Sequence, residues 1–254
     1  MNIGIVTGAS SGIGKEFVHQ IAKEEPQLEE LWVIARNEVK LRELQKEIPL
    51  KIRVFPLDLL EPVSFAEIQS ALEQEHPQVQ ILVNASGFGK FGNFEDLTQQ
   101  EIQQMMDLDG KSLVMMTKIV LPYCVKGSRI LQISSASAFQ PIAGFGVYGA
   151  IKSFVLSFSR SLHRELRDKG ITVTAVCPYW VKTNFIQTAQ ETGNPGTVTC
   201  FPFALEADTV VRKALRDSRR GKDVSTCRVS TMMKYAGKLL PHSWIMAVWD
   251  KIRM

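Results

Sequence analysis

Cysteine is scarce in this chain of 254 residues, which contains four, Cys124, Cys177, Cys200 and Cys227. They are far apart, no two form a CxxC pair, and no histidine stands at a spacing that suits a metal ion. The pattern argues against a disulfide framework and against a Cys/His metal site. We therefore expect four reduced thiols, no bound metal and a cytoplasmic location.

Long apolar runs are also missing, and no stretch is long enough to span a bilayer. Met1 and Asn2 lead directly into the strand-like IGIVTG, so we expect no secretory signal peptide. What the chain does have is 45% hydrophobic residues, which at this length is enough for one sizeable core.

The formal net charge of +4 is small but unevenly distributed. From Arg212 onward the chain has 11 Lys/Arg and 3 Asp/Glu, a net charge of +8. The basic residues are not interleaved with a stacking platform, and no recognised nucleic-acid-binding module is present, so we expect no nucleic-acid partner. The basic segment is compatible with an anionic ligand, a protein partner or a membrane surface, although a solvated face is the simpler interpretation.

Short β-rich runs alternate with longer amphipathic stretches along most of the chain. The predicted strands are residues 2–8, 31–35, 51–55, 80–84, 128–134 and 171–176, and the predicted helices include 12–25, 62–75, 99–122 and 149–169. This alternation indicates βαβ units and a parallel sheet, and the nearly continuous apolar strands indicate helices on both faces. We expect one α/β domain, residues 1–254, with a doubly wound sheet.

The alternation becomes less regular toward the C-terminus. Residues 187–202 are rich in Thr, Gly and Pro and predict a long loop, before a short helix near 206–217 and a last strand near 223–227. We expect a substrate loop or lid within residues 185–230. Residues 231–254 form a basic, apolar extension that is interpreted as a substrate cover, a membrane-surface helix or a subunit contact.

The sequence TGASSGIG, residues 7–14, follows the first predicted strand and opens the first predicted helix. Glycines allow a tight turn and a close approach of the backbone to a pyrophosphate. The helix N-terminus offers free N–H groups to the phosphates. In this context the motif predicts a dinucleotide-binding turn rather than a plain strand–helix connection, although its GxxxGxG spacing differs from the more common GxGxxG.

The end of the second predicted strand indicates which dinucleotide binds. An acidic residue there would bind the adenosine ribose hydroxyls of NAD, but this chain has Arg36 instead. A guanidinium pairs with a 2′-phosphate, so we expect NADP (NADPH) rather than NAD. The alternative is that Arg36 is only a solvent-exposed loop charge.

Six motifs in order resemble those of the short-chain dehydrogenase/reductase family: TGASSGIG, PLDL (56–59), VNASG (83–87), SSAS (134–137), YGAIK (148–152) and VCPYWVKT (176–183). The resemblance covers residues 2–185, and the nearest group is a bacterial one with TGxxxGxG and YxxxK motifs. It implies a Rossmann-type doubly wound sheet with one NAD(P) at the carboxyl ends of the strands. It also implies a homodimer or homotetramer that associates through two long helices.

The resemblance assigns roles residue by residue. Tyr148 would be the proton donor or acceptor, Lys152 would bind the nicotinamide ribose, and Ser135 would hold the substrate oxygen. Besides Arg36, Tyr148 and Lys152, the implied cofactor-binding residues are Gly8, Ser10, Ser11, Gly12, Ile13, Gly14, Asp58, Leu59, Asn84, Ala85, Ser86, Gly87, Pro178, Val181 and Thr183.

The chemistry of hydride transfer supports the catalytic roles independently. Reduction of a carbonyl leaves an alkoxide that needs a proton, and a free tyrosine, with a pKa of about 10, is a poor base at neutral pH. A nearby cation favours the phenolate, and an i,i+4 spacing on a helix brings Lys152 next to Tyr148. Ser135 can hydrogen-bond the carbonyl oxygen, while the cofactor supplies the hydride.

Two positions depart from the family pattern. Asp109, in MMDLDGKS, stands where the family has an asparagine whose backbone carbonyl helps to hold a water. Its carboxylate either stabilises the Lys152 cation or draws the lysine away from the ribose; we group Asp109 with the catalytic residues and expect activity to be retained. Tyr179 stands where the family has glycine, and it either shapes substrate entry or packs outward with Trp180.

Together these features predict an NADP(H)-dependent oxidoreductase that interconverts a ketone and a secondary alcohol. The loop and the basic, apolar extension favour a lipophilic substrate, such as a hydroxysteroid, a bile acid or a keto lipid. A weak contact of the extension with a membrane surface is compatible with this function. The alternative is a cofactor-binding sensor or scaffold with little activity, which only Asp109 and Tyr179 support.

Overall fold

The computed structural model describes residues 1–253, which fold around one parallel sheet. Within this range the strands are β1 (Asn2–Thr7), β2 (Glu30–Ile34), β3 (Lys51–Phe55), β4 (Gln78–Asn84), β5 (Cys124–Ile133), β6 (Thr172–Cys177) and β7 (Val224–Thr226). Their order across the sheet is β3-β2-β1-β4-β5-β6-β7, and all neighbouring strands are parallel. The order reverses between β1 and β4, which is where sheets of this type bind ligands.

Helices connect the strands and cover both faces, so the doubly wound α/β fold that the sequence predicts is confirmed. They are α1 (Gly12–Glu24), α2 (Glu38–Glu47), α3 (Pro62–Glu75), α4 (Gln99–Met105), α5 (Ser112–Val120), α6 (Gly146–Glu165), α7 (Phe185–Gln190), α8 (Ala207–Arg219), α9 (Arg228–Leu239) and α10 (His242–Ile252). Helices α1, α2 and α8 pack on one face of the sheet, and α3, α5 and α6 pack on the other.

The strands are apolar on both sides because each face of the sheet carries a layer of helices. Successive side chains of a strand point to opposite faces. In β1, Val6 packs against the layer that contains Phe17, whereas Ile5 packs against the layer that contains Ile68. All four side chains are fully buried, and truncating a buried phenylalanine such as Phe17 to alanine costs about 3–5 kcal/mol of stability.

The predicted helix over residues 99–122 is not continuous. A π-helical segment, Met106–Lys111, separates α4 from α5, and it buries Asp109 and Gly110 near its centre. A π-helical insertion shifts the register of the residues beyond it, and such insertions are frequent at functional sites. The position of Asp109 in this π-helical segment therefore indicates a functional role for the residue.

The region after β6 also differs in detail from the prediction. The expected loop over residues 187–202 overlaps α7, which begins two residues earlier, at Phe185. Helix α8 and strand β7 belong to the layers of the sheet, so within residues 185–230 only the part before α8 borders the site described below. The last residue of the predicted extension, 231–254, lies outside the described range.

Within residues 1–253, no helix combines the length and the apolar character that crossing a bilayer requires. The same residues contain no cluster of three or more His, Cys, Asp or Glu side chains that could hold a metal ion. All four cysteines are free thiols.

Candidate functional site

A cleft of about 450 Å³ opens at the carboxyl ends of the central strands. Every catalytic and cofactor-binding residue that the sequence predicted lines this cleft, with the exception of Asn84. The fold thus brings together residues that lie as far apart in the chain as Gly8 and Thr183.

The glycine turn between β1 and α1 has the geometry that its sequence predicts. Gly8 and Gly12 have φ angles of +68° and +54°, a conformation that glycine adopts without strain. A Cβ atom at Gly14 would lie 2.1 Å from the carbonyl oxygen of Gly8, and one at Gly8 would lie 2.7 Å from the backbone of Ala85. Ser11, the N-cap of α1, makes no side-chain capping bond, so the N–H groups of the first turn remain available to a phosphate.

Basic side chains lie at the end of the cleft beside β2. Arg36 is 72% exposed, and its Nη1 lies 3.8 Å from Oδ2 of Asp58. Asn37 and Lys40, which the sequence analysis did not single out, line the same end of the cleft; the Asn37 side chain caps α2 by accepting a hydrogen bond from the Lys40 backbone N–H at 3.0 Å. Lys40 lies in the first turn of α2, directly after the loop that carries Arg36, and this position was the available signal. The positive charge here suits a 2′-phosphate.

The structure buries the side chain of Asn84 behind the wall of the cleft rather than on its surface. Its side-chain nitrogen donates to Oε1 of Gln132 at 2.9 Å and to Oγ1 of Thr117 at 3.1 Å, inside the layer between the sheet and α5. Its successors Ala85 and Ser86 do line the cleft, and their backbone N–H groups donate to the hydroxyl of Thr7. Asn84 therefore supports this wall of the cleft from behind.

Tyr148 and Lys152 lie one turn apart near the start of α6, and both are buried. The ammonium nitrogen of Lys152 lies 5.3 Å from the centre of the Tyr148 ring and donates to the carbonyl oxygen of Ile133 at 3.0 Å. Ser135 follows β5, and its hydroxyl accepts a hydrogen bond from the Ser137 N–H at 3.1 Å. Burial raises the pKa of Tyr148, the charge of Asp109 raises it further, and the hydroxyl of Ser135 opposes the rise.

Asp109 forms a buried ion pair with Lys152, with 2.7 Å between Oδ1 and Nζ. Its Oδ2 accepts a hydrogen bond from the backbone N–H of Phe88 at 3.0 Å. Burial raises the pKa of the Asp109 carboxyl, and the adjacent ammonium group opposes that rise. An ammonium group has three N–H donors, so after Asp109 and Ile133 one donor of Lys152 remains for the cleft.

The loop after β4 is shaped around this carboxylate. A Cβ atom at Gly87 would lie 2.4 Å from Oδ1 of Asp109, so any larger residue would displace the carboxylate or the loop. The ion pair thus depends on a glycine that the sequence analysis had assigned only to cofactor binding.

Aromatic side chains form the wall of the cleft beside Tyr148. The ring of Phe145 stacks on that of Tyr148, with centroids 4.2 Å apart and planes 16° apart, and Phe185 lies 5.5 Å from Tyr148. Trp249 of α10 reaches the same wall and fixes its indole by donating to the carbonyl oxygen of Ala143 at 2.8 Å. No motif marked these residues, because they come from separate elements.

Tyr179 combines the two placements that the sequence left open. It lines the cleft, and its ring centroid also lies 5.7 Å from that of Trp180. Trp180 packs in turn against Phe91 and Phe201, at 6.0 Å and 5.0 Å. Tyr179 therefore borders the cleft at the edge of an aromatic cluster.

Comparison with known proteins agrees with this geometry. The family model for short chain dehydrogenases matches residues 2–194. The human very-long-chain 3-oxoacyl-CoA reductase is 33% identical over 199 residues, an alignment that covers 74% of this chain and 62% of that enzyme, less than two thirds of its length.

Solved structures share the fold over nearly the whole chain. A short-chain dehydrogenase from Sphingobium yanoikuyae in complex with NADPH has a TM-score of 0.80 and 27% identity, covering 100% of this chain and 97% of that one. The bulky-bulky ketone specific alcohol dehydrogenase from Comamonas testosteroni has a TM-score of 0.73 and 25% identity, covering 99% and 92%. From the matching family model, the sheet order and the residues of the cleft, we conclude that the chain belongs to the short-chain dehydrogenase family of oxidoreductases.

Proposed function

We propose that this protein interconverts a ketone and a secondary alcohol with NADP(H), and that its substrate is lipophilic, with a long-chain 3-oxoacyl thioester as the favoured class. One observation carries the proposal. Tyr148, Lys152 and Ser135 line a single cleft that also contains the glycine turn of a dinucleotide site and an aromatic wall.

The catalytic side chains have separate tasks in reduction. The bound cofactor supplies the hydride. The hydroxyl of Ser135 donates a hydrogen bond to the carbonyl oxygen and orients the ketone. Tyr148 gives its phenolic proton to the alkoxide oxygen, and its raised pKa keeps that proton in place at neutral pH.

Lys152 stabilises the phenolate that remains on Tyr148 after proton transfer. Its ammonium group lies 5.3 Å from the ring and is fixed by Asp109 and the Ile133 carbonyl. The remaining N–H donor would bind a ribose hydroxyl of the cofactor. In the reverse direction the same phenolate accepts the proton of the alcohol.

The choice of NADP rests on charge at the adenosine end of the cleft. Arg36 and Lys40 are cationic, and no acidic residue occupies the end of β2. The similar structure from Sphingobium yanoikuyae, which is in complex with NADPH, supports this choice.

The substrate class rests on the aromatic wall. Phe145, Phe185 and Trp249 offer apolar surface beside Tyr148, where the apolar part of a substrate would pack. The names of two similar proteins, a very-long-chain 3-oxoacyl-CoA reductase and a bulky-bulky ketone specific alcohol dehydrogenase, support a large apolar substrate.

A substrate panel tests the proposal directly. NADPH consumption by the purified protein is measured with 3-oxoacyl thioesters of increasing chain length, steroid and bile-acid ketones and small ketones, with NADH as the cofactor control. We expect the long-chain thioesters to give the highest kcat/KM, and Tyr148→Phe to lower kcat by about 10²–10⁴-fold while NADPH binding is retained. Tight NADPH binding without turnover of any ketone would instead favour a sensor or scaffold.

We also propose that the protein forms a homodimer or homotetramer through the region of α4, α5 and α6. Met106, Met115 and Phe154 expose large apolar surfaces there, with 56%, 39% and 50% of their area accessible. Analytical ultracentrifugation measures this directly, and a monomer at micromolar concentration would contradict it.

A further inference from the structure

We infer that the outer faces of α9 and α10 form a docking surface for an anionic lipid bilayer, beside the mouth of the cleft. This C-terminal face consists of apolar residues at helical spacing. On α9 they are Met232, Tyr235 and Leu239, and on α10 they are Trp244, Val248 and Ile252. Leu239 and Trp244 are 80% and 66% exposed, values that are high for side chains of this size.

Other residues of the same two helices attach them to the protein, so the exposed residues are not the packing face. Trp249 is buried and donates to Ala143, and the carbonyl oxygen of Arg253 accepts from the Thr199 N–H at 2.8 Å. On α9, Gly237 lies so close to the chain that a Cβ there would be 2.4 Å from the carbonyl oxygen of Phe139. An apolar face that remains exposed on anchored helices needs a partner.

The positive charge of α9 and α10 indicates an anionic partner. Residues 228–253 contain five Lys/Arg and one Asp/Glu, a net charge of +4. The single acid, Asp250, pairs with Arg253, with 3.2 Å between Oδ1 and Nε. Among the ion pairs of residues 1–253, none involves Arg228, Lys234, Lys238 or Lys251.

This charge argues against a second copy of the chain as the partner. A twofold interface places the same patch of both subunits in contact, which would bring two faces of charge +4 together. A helix pair with an apolar stripe and flanking lysines is instead typical of proteins that lie at the surface of an anionic bilayer. The basic side chains would contact the headgroups while the apolar stripe enters the region of the acyl chains.

The docking surface adjoins the route to the active site. Met233 and Trp249, which lie on the same two helices, line the cleft. A lipophilic ketone could therefore pass from the bilayer to Tyr148 without crossing bulk water, a consequence that rests on the proposed function. The docking itself does not require that function.

Vesicle co-sedimentation of the full chain tests the inference, with phosphatidylcholine vesicles with and without phosphatidylserine. We expect binding to the anionic vesicles that weakens as salt is added. Lys238→Gln combined with Lys251→Gln is expected to lower the partition coefficient about 30-fold, since each lysine near an anionic surface contributes about fivefold. Trp244→Ser combined with Val248→Ser is expected to lower it by at least tenfold.

Matched variants elsewhere on the surface serve as controls. Lys46→Gln with Lys118→Gln removes two exposed lysines, and Val39→Ser with Val63→Ser removes apolar residues that are 68% and 70% exposed. Both pairs should leave vesicle binding unchanged. NADPH binding and the urea midpoint verify that each variant is folded, and ketone turnover, measured separately, distinguishes failure of the proposed function from failure of docking.

The inference is overturned if the wild-type chain does not sediment with anionic vesicles, or if the control pairs weaken binding as much as the C-terminal variants. It is also overturned if Trp244→Ser with Val248→Ser changes the sedimentation coefficient of the free protein but not its vesicle binding. That last result would identify the face as a contact between copies of the chain.

Discussion

The buried ion pair between Asp109 and Lys152 allows a direct test of whether Asp109 holds Lys152 as a cation beside Tyr148. Asp109→Asn preserves the shape of the side chain and removes its charge. Both neighbours of the carboxylate are donors: the Lys152 ammonium at 2.7 Å and the Phe88 backbone N–H at 3.0 Å. An amide has one acceptor oxygen, so its NH₂ group would face one of these donors. The two donors therefore require the two acceptor oxygens of a carboxylate.

The magnitude of the effect on stability follows from burial. Two unit charges 2.7 Å apart attract by roughly 6 kcal/mol at an effective dielectric constant of 20, and desolvation of both groups offsets much of this. Removing one partner of a buried pair leaves the other uncompensated, which costs about 3–5 kcal/mol. We expect Asp109→Asn to lower the free energy of unfolding by this amount, measured by urea denaturation.

The charge change also acts on Tyr148. If the 5.3 Å from Nζ to the centre of the Tyr148 ring is taken as the charge separation, an uncompensated Lys152 cation favours the phenolate by about 3 kcal/mol at the same dielectric constant, and Asp109 cancels part of that field. In Asp109→Asn the phenolate should form at lower pH. We expect the acidic limb of kcat/KM for alcohol oxidation to move to lower pH, with an upper limit of about two pH units.

Asp107→Asn is the matched control for both measurements. Asp107 lies on the same π-helical segment but is partly exposed and pairs with Lys111 at 3.6 Å, away from the active site. Its replacement should leave the pH profile of kcat/KM unchanged. It should also change the free energy of unfolding by no more than about 0.5 kcal/mol. An unshifted or upward-shifted limb in Asp109→Asn, together with an unchanged urea midpoint, would refute the claim that Asp109 holds Lys152 as a cation.

Three further substitutions test other parts of the site and fold. Arg36→Gln should raise the KM for NADPH by about 10–100-fold and leave that for NADH unchanged, because it removes a charge-assisted contact worth about 1.5–3 kcal/mol; equal effects in steady-state assays would contradict the 2′-phosphate assignment. Gly87→Ala should lower both kcat and the urea midpoint, because the new Cβ would lie 2.4 Å from Oδ1 of Asp109; a fully active, stable variant would show that the loop yields. Burial alone raises the pKa of Asp217, but hydrogen bonds from two lysines and a serine lower the pKa overall. The ionised Asp217 therefore stabilises the fold above the ordinary aspartate pKa, and this stabilisation is lost as pH falls through the lowered pKa of the folded state. Asp217→Asn should therefore cost about 1–3 kcal/mol at pH 7 and progressively less in acid, as measured by urea denaturation across pH.

The fold was predictable because its signals are local. Runs such as 51–55 are short, β-rich and bounded by turns, and their alternation with amphipathic helices admits few topologies. The interruption of the helix over residues 99–122 was not predictable, because a π-helical register shift changes the apolar periodicity by only one residue. The contact of Asp109 with Lys152 joins residues 43 positions apart in the chain, so no local pattern encodes it.

In the cleft, too, local features were predictable from the sequence and tertiary contacts were not. The glycine turn and the Tyr148–Lys152 pair depend on spacing within one element, so the sequence shows them. The orientation of the Asn84 side chain depends instead on strand parity, which the motif alone does not show. Side chains of a strand alternate, so Asn84 points to the same face as Leu82, toward the layer of α5 and away from the cleft.

The ion pair also bears on the direction in which Tyr148 works best. A lysine cation without a counter-charge favours the phenolate, the form that accepts a proton during alcohol oxidation. Here the lysine is paired, and burial together with Asp109 raises the pKa of Tyr148, so the phenol persists to higher pH. The protonated phenol is the form that reduction of a ketone requires. Under the proposed function, we therefore expect the aspartate at position 109 to extend the pH range for reduction upward and to shift efficient oxidation to higher pH, while the overall equilibrium is still set by the two cofactor forms.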